Sequence, residues 1–178
     1  MSKFRISFGI LWLVLFYSFM FQACECDRQK MPANFEKDLK KIYKAPIAIP
    51  DNLLLFPKGY FHSGEKDTTL VVYINGECFT CFDDLVKWKK IVEDHPDKYN
   101  YLFVVQSADT ANTLYYLRKW NIDFPVYIDT AYMFLKQNYV SQYKLLQAFL
   151  LDKSNKVHFV GNPLYSENVK NRLFPSGE

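Results

Sequence analysis

The chain has 178 residues and a net charge of +3, with 22 lysines and arginines against 19 acidic residues. Because basic and acidic residues are mixed along the chain, the sequence lacks the basic stripe typical of nucleic-acid binding. Its length fits one domain with a sizeable core, and no second domain is expected. The 13 tyrosines and 16 phenylalanines are expected to fill this core and part of the surface.

The first residues have the layout of a secretory signal. Lys3 and Arg5 precede a nearly unbroken apolar run over residues 6–21, and Ala23 stands before Cys24. The segment resembles a bacterial lipoprotein signal, in which the cysteine is lipidated and becomes the mature N-terminus. We therefore predict a leader over 1–23, a polar tether over 24–33 and a domain over 34–178. An uncleaved membrane anchor and simple cleavage are the alternatives, and all three place the domain in the cell envelope, outside the cytoplasm.

The domain is predicted to begin with a short helix over residues 34–43, because apolar residues recur there on one helical face. Pro46 and Pro50 bracket residues 47–49, so any strand there is brief and lies at a sheet edge. Residues 51–61 are predicted to be irregular. The β-branched and aromatic run over 69–74 predicts a strand that ends at a turn.

Cys78 and Cys81 lie two residues apart where this strand gives way to an amphipathic helix, which is predicted to end near His95. This is where a thioredoxin-like fold keeps its redox dithiol. Cys78 is placed at the helix N-terminus, where unpaired N–H groups and the helix dipole favour a thiolate. Cys81 lies one turn further and is expected to be more shielded.

Beyond the dithiol, helices and strands alternate. The patterns predict a strand over 101–105, a helix from Ser107 or Asp109 to Asn121, and a strand over 124–129. One or two helical turns are expected over 131–138. Strands over 147–152 and 157–160 are predicted to form a hairpin, followed by a closing helix over 166–174.

Two of these segments resemble motifs of one family. Phe124-Pro-Val-Tyr-Ile-Asp129 and the hairpin from Phe149 to Val157 are similar to motifs of membrane-tethered thiol–disulfide oxidoreductases, in the peroxiredoxin-related branch of thioredoxins. The similarity covers residues 68–174. It implies an α/β, thioredoxin-like three-layer fold: a central mixed sheet with a C-terminal antiparallel hairpin and flanking helices.

The same resemblance implies the roles of the two cysteines. Cys78 would attack a partner disulfide and Cys81 would resolve the mixed disulfide. Envelope protein disulfides or a transmembrane electron donor would be the partners, and no cofactor is expected.

The chain departs from the family pattern at three places. Relatives usually carry Trp before the first cysteine and Pro inside the motif; the negative charge of Glu77 is expected to oppose thiolate formation at Cys78. Val72 occupies the position where many thioredoxins bury an acid, so no side-chain base for Cys81 is evident. Leu146 stands where the family has a cis-proline, so the substrate loop at Leu145, Leu146 and Gln147 is expected to be trans and differently shaped.

Other interpretations of the cysteines stay open. A structural disulfide would close too small a loop to stabilise the fold much, and a metal site would need further ligands, for which His62, His95 and His158 are candidates. Cys26 is expected to be an unpaired thiol in the tether or an exchange partner. A binding scaffold that has lost its redox chemistry is the competing function, while the Pro-x-x-x-Thr-x-x-Cys setting of peroxidases is missing before Cys78.

Overall fold

The computed structural model describes residues 34–57 and 66–175. The predicted leader, the tether with Cys24 and Cys26, and His62 lie outside these residues. Five α-helices are described: α1 (Phe35–Ile42), α2 (Phe79–Asp94), α3 (Thr110–Lys119), α4 (Met133–Gln137) and α5 (Glu167–Leu173). The six strands are β1 (Leu54–Phe56), β2 (Thr69–Asn75), β3 (Asn100–Gln106), β4 (Val126–Asp129), β5 (Ala148–Leu151) and β6 (Val157–Val160).

The six strands form one mixed sheet in the order β1-β4-β3-β2-β5-β6. Strands β2, β3 and β4 are parallel, β1 runs antiparallel to β4, and β5 and β6 form an antiparallel hairpin beside β2. The parallel strands are joined through α2 and α3, as crossover connections require. The predicted α/β class, the mixed sheet and the C-terminal hairpin are confirmed.

The sheet separates two hydrophobic cores. On one face, Leu70 and Val72 pack with residues of α2, α3 and α5, including the fully buried Trp88. On the other face, Val71 and Tyr73 pack with residues of α1 and α4. Alternate residues of β2 point to opposite faces because a strand has a side-chain period of two, and the predicted three layers follow from this.

Residues 47–49, where any strand was expected to be brief, form none, because the side chain of Asn138 takes the backbone groups that a neighbouring strand would use. Its Oδ1 accepts from the Ala48 N–H at 2.7 Å, and its Nδ2 donates to the Ala48 carbonyl at 2.8 Å. The edge strand is instead Leu54–Phe56, inside the stretch predicted to be irregular, and it pairs with β4.

No helix within residues 34–57 and 66–175 has the length and apolar character needed to span a bilayer.

Candidate active site

The turn between β2 and α2 positions the dithiol. The Gly76 N–H donates to the Gln106 carbonyl of β3 at 2.7 Å, and the Asn75 side chain accepts from the Glu77 N–H at 3.0 Å. A Cβ at Gly76 would lie 2.6 Å from the Gln106 carbonyl oxygen, closer than real Cβ atoms come. Glycine is therefore required here because the turn crosses directly over the end of β3.

Cys78 is the N-cap residue of α2, as predicted, with an extended backbone, and its carbonyl accepts from the Cys81 N–H at 2.9 Å. The Cys78 Sγ lies 3.1 Å from the Thr80 Oγ1, and this thiol is half-buried. Cys81 is only 8% exposed and belongs to the core between the sheet and α2. Both cysteines are free thiols. One accessible sulfur thus lies beside one shielded sulfur, as the sequence predicted.

The two thiols have opposite acidities. Hydrogen bonds from the Cys81 thiol and the Thr80 hydroxyl lower the pKa of Cys78 to about 7. Burial, together with the hydrogen bond to Cys78, raises the pKa of Cys81 to about 11. Near neutral pH about half of Cys78 is therefore thiolate, while Cys81 keeps its proton. This is the arrangement an attacking and a resolving cysteine need.

Glu77 is bonded to groups outside the dithiol turn, and its opposition to the Cys78 thiolate stays a prediction. Its Oε1 accepts from the Ala108 N–H and the Tyr132 hydroxyl, both at 2.8 Å, and these hydrogen bonds lower the pKa of Glu77. Glu77 connects the turn to the loops after β3 and β4.

The loop at Leu145, Leu146 and Gln147 is compact, and the only cis peptide bond among the described residues is at Pro57. Lys144–Leu146 is a 3-10 turn in which the Leu146 N–H donates to the Tyr143 carbonyl at 2.8 Å. The Leu145 carbonyl accepts from the Asn162 N–H at 2.7 Å, and the Gln147 carbonyl accepts from the Tyr73 N–H at 2.9 Å. The prediction of trans peptide bonds in this loop is confirmed, and its difference in shape from the family loop stays a prediction. Its role in substrate binding stays a prediction.

Sequence analysis did not identify three residues near the dithiol: Asp84, Lys144 and Tyr165. The Lys144 Nζ lies 3.1 Å from the Asp84 Oδ2, and the Tyr165 hydroxyl donates to the same oxygen. The Asp84 side chain is 10% exposed. Two signals could have found this cluster: an acid one helical turn after Cys81, and a lysine directly before the predicted substrate loop.

The two described histidines that were considered as metal ligands, His95 and His158, make other contacts. His95 stacks on Phe174 with ring centroids 4.8 Å apart, and His158 Nε2 lies 3.2 Å from the Asp152 Oδ2. Residues 34–57 and 66–175 contain no group of three or more His, Cys, Asp or Glu side chains that could hold a metal ion.

No protein-family model and no curated protein matches this chain. Solved structures do. A thioredoxin-like protein in the oxidised form is 15% identical, over 64% of this chain and 82% of that one, with a TM-score of 0.49. The exposed lipoprotein thioredoxin of Streptococcus pneumoniae is 18% identical, over 60% of this chain and 83% of that one, with a TM-score of 0.47. A secreted disulfide oxidoreductase of Mycobacterium tuberculosis, homologous to E. coli DsbE, is 13% identical, over 60% of this chain and 80% of that one, with a TM-score of 0.43.

At these identities and scores, no activity and no residue role is carried over from those proteins. The strand order and the α/β layers described above define the fold of this chain as thioredoxin-like.

Proposed function

We propose that this protein is a thiol–disulfide oxidoreductase of the cell envelope that reduces protein disulfides through Cys78 and Cys81. The observation that carries the proposal is the pairing of a half-buried thiol whose pKa is about 7 with a buried thiol whose pKa is about 11, at the start of one helix. A structural pair of cysteines has no need of such a difference in acidity.

The reaction has two exchange steps. The Cys78 thiolate attacks one sulfur of the partner disulfide, a Cys78–partner bond forms, and the other partner sulfur leaves as a thiolate that takes a proton. Cys81 then loses its proton and attacks the Cys78 Sγ. The Cys78–Cys81 bond forms, the mixed disulfide breaks, and the second partner thiolate leaves and is protonated. The two cysteines are oxidised and the partner disulfide is reduced.

The membrane tether, lipidation at Cys24 and a transmembrane electron donor belong to the same proposal. They are supported by the basic, apolar and small-residue pattern of residues 1–24. The donor would have to return two electrons to the Cys78–Cys81 disulfide after each turnover.

A binding scaffold with an inactive dithiol is the second candidate. It is favoured by the loop at Leu145 and Leu146, whose carbonyl and N–H groups are bonded within the chain rather than available to a substrate backbone.

The deciding experiment measures reduction of a model protein disulfide by the full chain in detergent. Cys78→Ser is expected to abolish reduction, and Cys81→Ser to accumulate a mixed disulfide, because attack remains but resolution is lost. Cys26→Ser is the matched control and should reduce the substrate at the original rate. Unchanged reduction by Cys78→Ser would overturn the proposal.

The reduction potential of the pair separates the two candidates. A value of about −270 mV, in the range of thioredoxin, is expected of an electron donor. A value below about −300 mV, with a disulfide that resists exchange, would support the scaffold.

A further inference from the structure

We propose that Lys144 is a further functional residue of this site: its ammonium group stabilises the thiolate of Cys81 as that thiolate forms, and Asp84 and Tyr165 hold the ammonium in place. The inference rests on the proposed function and adds to it the group that activates the resolving cysteine. None of the three residues was identified from the sequence.

The position of Lys144 is fixed by contacts from two distant segments. Its Nζ lies 3.1 Å from the Asp84 Oδ2 in α2 and 5.4 Å from the centroid of the Tyr165 ring, after β6. Tyr165 donates its hydroxyl to the same carboxylate oxygen, so the cation and the ring share one acceptor. An ammonium group held by both a carboxylate and an aromatic ring has little freedom to swing into solvent.

Asp84 follows Cys81 by three residues in α2, so the two side chains share one face of the helix, and the ammonium bound to Asp84 lies on that face. The positive charge of Lys144 lowers the pKa of both Cys78 and Cys81. A hydrogen bond from Lys144 adds to this effect at Cys81. Burial opposes the charge on Lys144, but hydrogen bonds with Tyr165 and Asp84 raise its pKa well above the ordinary value. The ammonium therefore stays protonated at neutral pH and acts as a fixed positive charge, not as a base.

Resolution is the step that needs this charge. With a pKa of about 11, about one Cys81 in 10⁴ is a thiolate at pH 7, from the four-unit difference between the pKa and the pH. Val72, which lies in the same core as Cys81, is apolar and supplies no base. A nearby fixed cation makes the thiolate less costly, while the proton itself passes to water and finally to the departing partner thiolate.

A merely structural role for Lys144 predicts a different outcome. Lys87 offers the matched control, because its Nζ also approaches Asp84, at 3.4 Å from the other carboxylate oxygen, while its side chain is 61% exposed. Loss of either lysine removes one partner of Asp84, but the loss of Lys144 also removes the positive charge that lowers the pKa of Cys81.

The test is the alkylation rate of Cys81 against pH in the full chain carrying Cys78→Ser, read from the mass of the peptide that contains Cys81. Lys144→Met is expected to lower this rate several-fold to tenfold at pH 8, since each unit of rise in the pKa costs tenfold in thiolate. Lys144→Arg should retain most of the rate, Lys87→Met should keep the rate of the parent, and Tyr165→Phe should fall between Lys144→Met and the parent.

Thermal unfolding of each variant shows whether it is folded, and Lys144→Gln replaces Lys144→Met if that variant is not. Equal alkylation rates for the parent and the Lys144 variants would overturn the inference, and so would equal losses in the Lys144 and Lys87 variants. Failure of the proposed function shows separately, as disulfide reduction that survives Cys78→Ser.

Discussion

The two sides of the candidate site are built differently. Cys78 makes its hydrogen bonds within a few residues, with Asn75, Thr80 and Cys81, although its neighbours Gly76 and Glu77 bond to more distant segments. The facing loop, residues 143–147, is held by distant partners in α2, in β2 and in the segment after β6. The acidity of Cys78 is therefore largely a local property of the turn, whereas the surroundings of Cys81 depend on how the whole fold brings the loop to α2.

Of the three comparisons that follow, the largest effect is expected when Leu146 in the facing loop is replaced by the proline that the resembled family has there. Leu146→Pro removes the N–H that donates to the Tyr143 carbonyl at 2.8 Å and constrains Leu145 in the 3-10 turn. We expect a loss of about 3 kcal/mol in the free energy of unfolding, measured by urea denaturation.

Leu146→Met is the control for this variant, because it keeps the buried volume and should cost less than about 1.5 kcal/mol. An unchanged or higher stability for Leu146→Pro would show that the loop adopts another shape at little cost, and the contrast between the two sides would be lost.

A pair of glycines compares the two sides directly. Gly76→Ala in the dithiol turn brings a Cβ to 2.6 Å from the Gln106 backbone oxygen, and we expect a loss of about 2–3 kcal/mol because the backbone cannot yield easily. Gly161→Ala lies behind the facing loop, where the new Cβ meets side chains of Val169 and Phe159 at 2.9 Å and 3.1 Å.

Because side chains can shift, Gly161→Ala should cost about 1 kcal/mol, at the low end for added core volume. Urea denaturation of both variants measures the difference. A greater cost for Gly161→Ala would contradict the contrast, since it would mean that the turn over β3 tolerates displacement better than the loop does.

The smallest effect concerns the acidity of Cys78. Its alkylation rate should rise with pH up to a midpoint near pH 7. Thr80→Val is expected to raise the midpoint, because the hydroxyl hydrogen bond that stabilises the thiolate is lost. Thr80→Ser keeps the hydroxyl and is the control, and Glu77→Gln should leave the midpoint near pH 7 because that carboxylate bonds to Ala108 and Tyr132.

The lowered pKa of Cys78 also makes the stability of the folded protein depend on pH. The pKa of Cys78 is lower in the folded protein than its ordinary value of 9.0, so its contribution to stability is present above pH 9 and is lost as the pH falls through about 7. Cys81 acts oppositely: its raised pKa contributes stability below pH 9, which is lost as the pH rises through about 11. If Glu77→Gln moved the midpoint of Cys78 alkylation and Thr80→Val did not, the acidity of Cys78 would not come from the Thr80 hydroxyl.

The contrast also explains how much the sequence could predict. The β2–turn–α2 unit and the β5–β6 hairpin were predicted because each is encoded by the period of apolar residues along one short segment. Strand β1 was missed, because three residues show too little alternation and its partner β4 lies about 70 residues away.

The Asp84, Lys144 and Tyr165 cluster could not be predicted for the same reason. Lys144 is 60 residues from Asp84 along the chain, and Tyr165 is 81 residues from it. No periodicity within α2 indicates which side chains will meet its first turns. The apolar Val72 was evident from the sequence, but the charge supplied from the loop becomes visible only when β5 is paired with β2.

The bonded carbonyl of Leu145 bears on the choice of clients. A protein that offers free main-chain groups beside its dithiol favours disulfides in extended segments, since the client must pair like a strand. Here the Leu145 carbonyl and the Leu146 N–H are already occupied by Asn162 and Tyr143. If Cys78 works as proposed, a disulfide in a helix or a tight loop would be as good a substrate as one in a strand. Substrate proteins would then be selected by how exposed the disulfide is rather than by the backbone conformation around it.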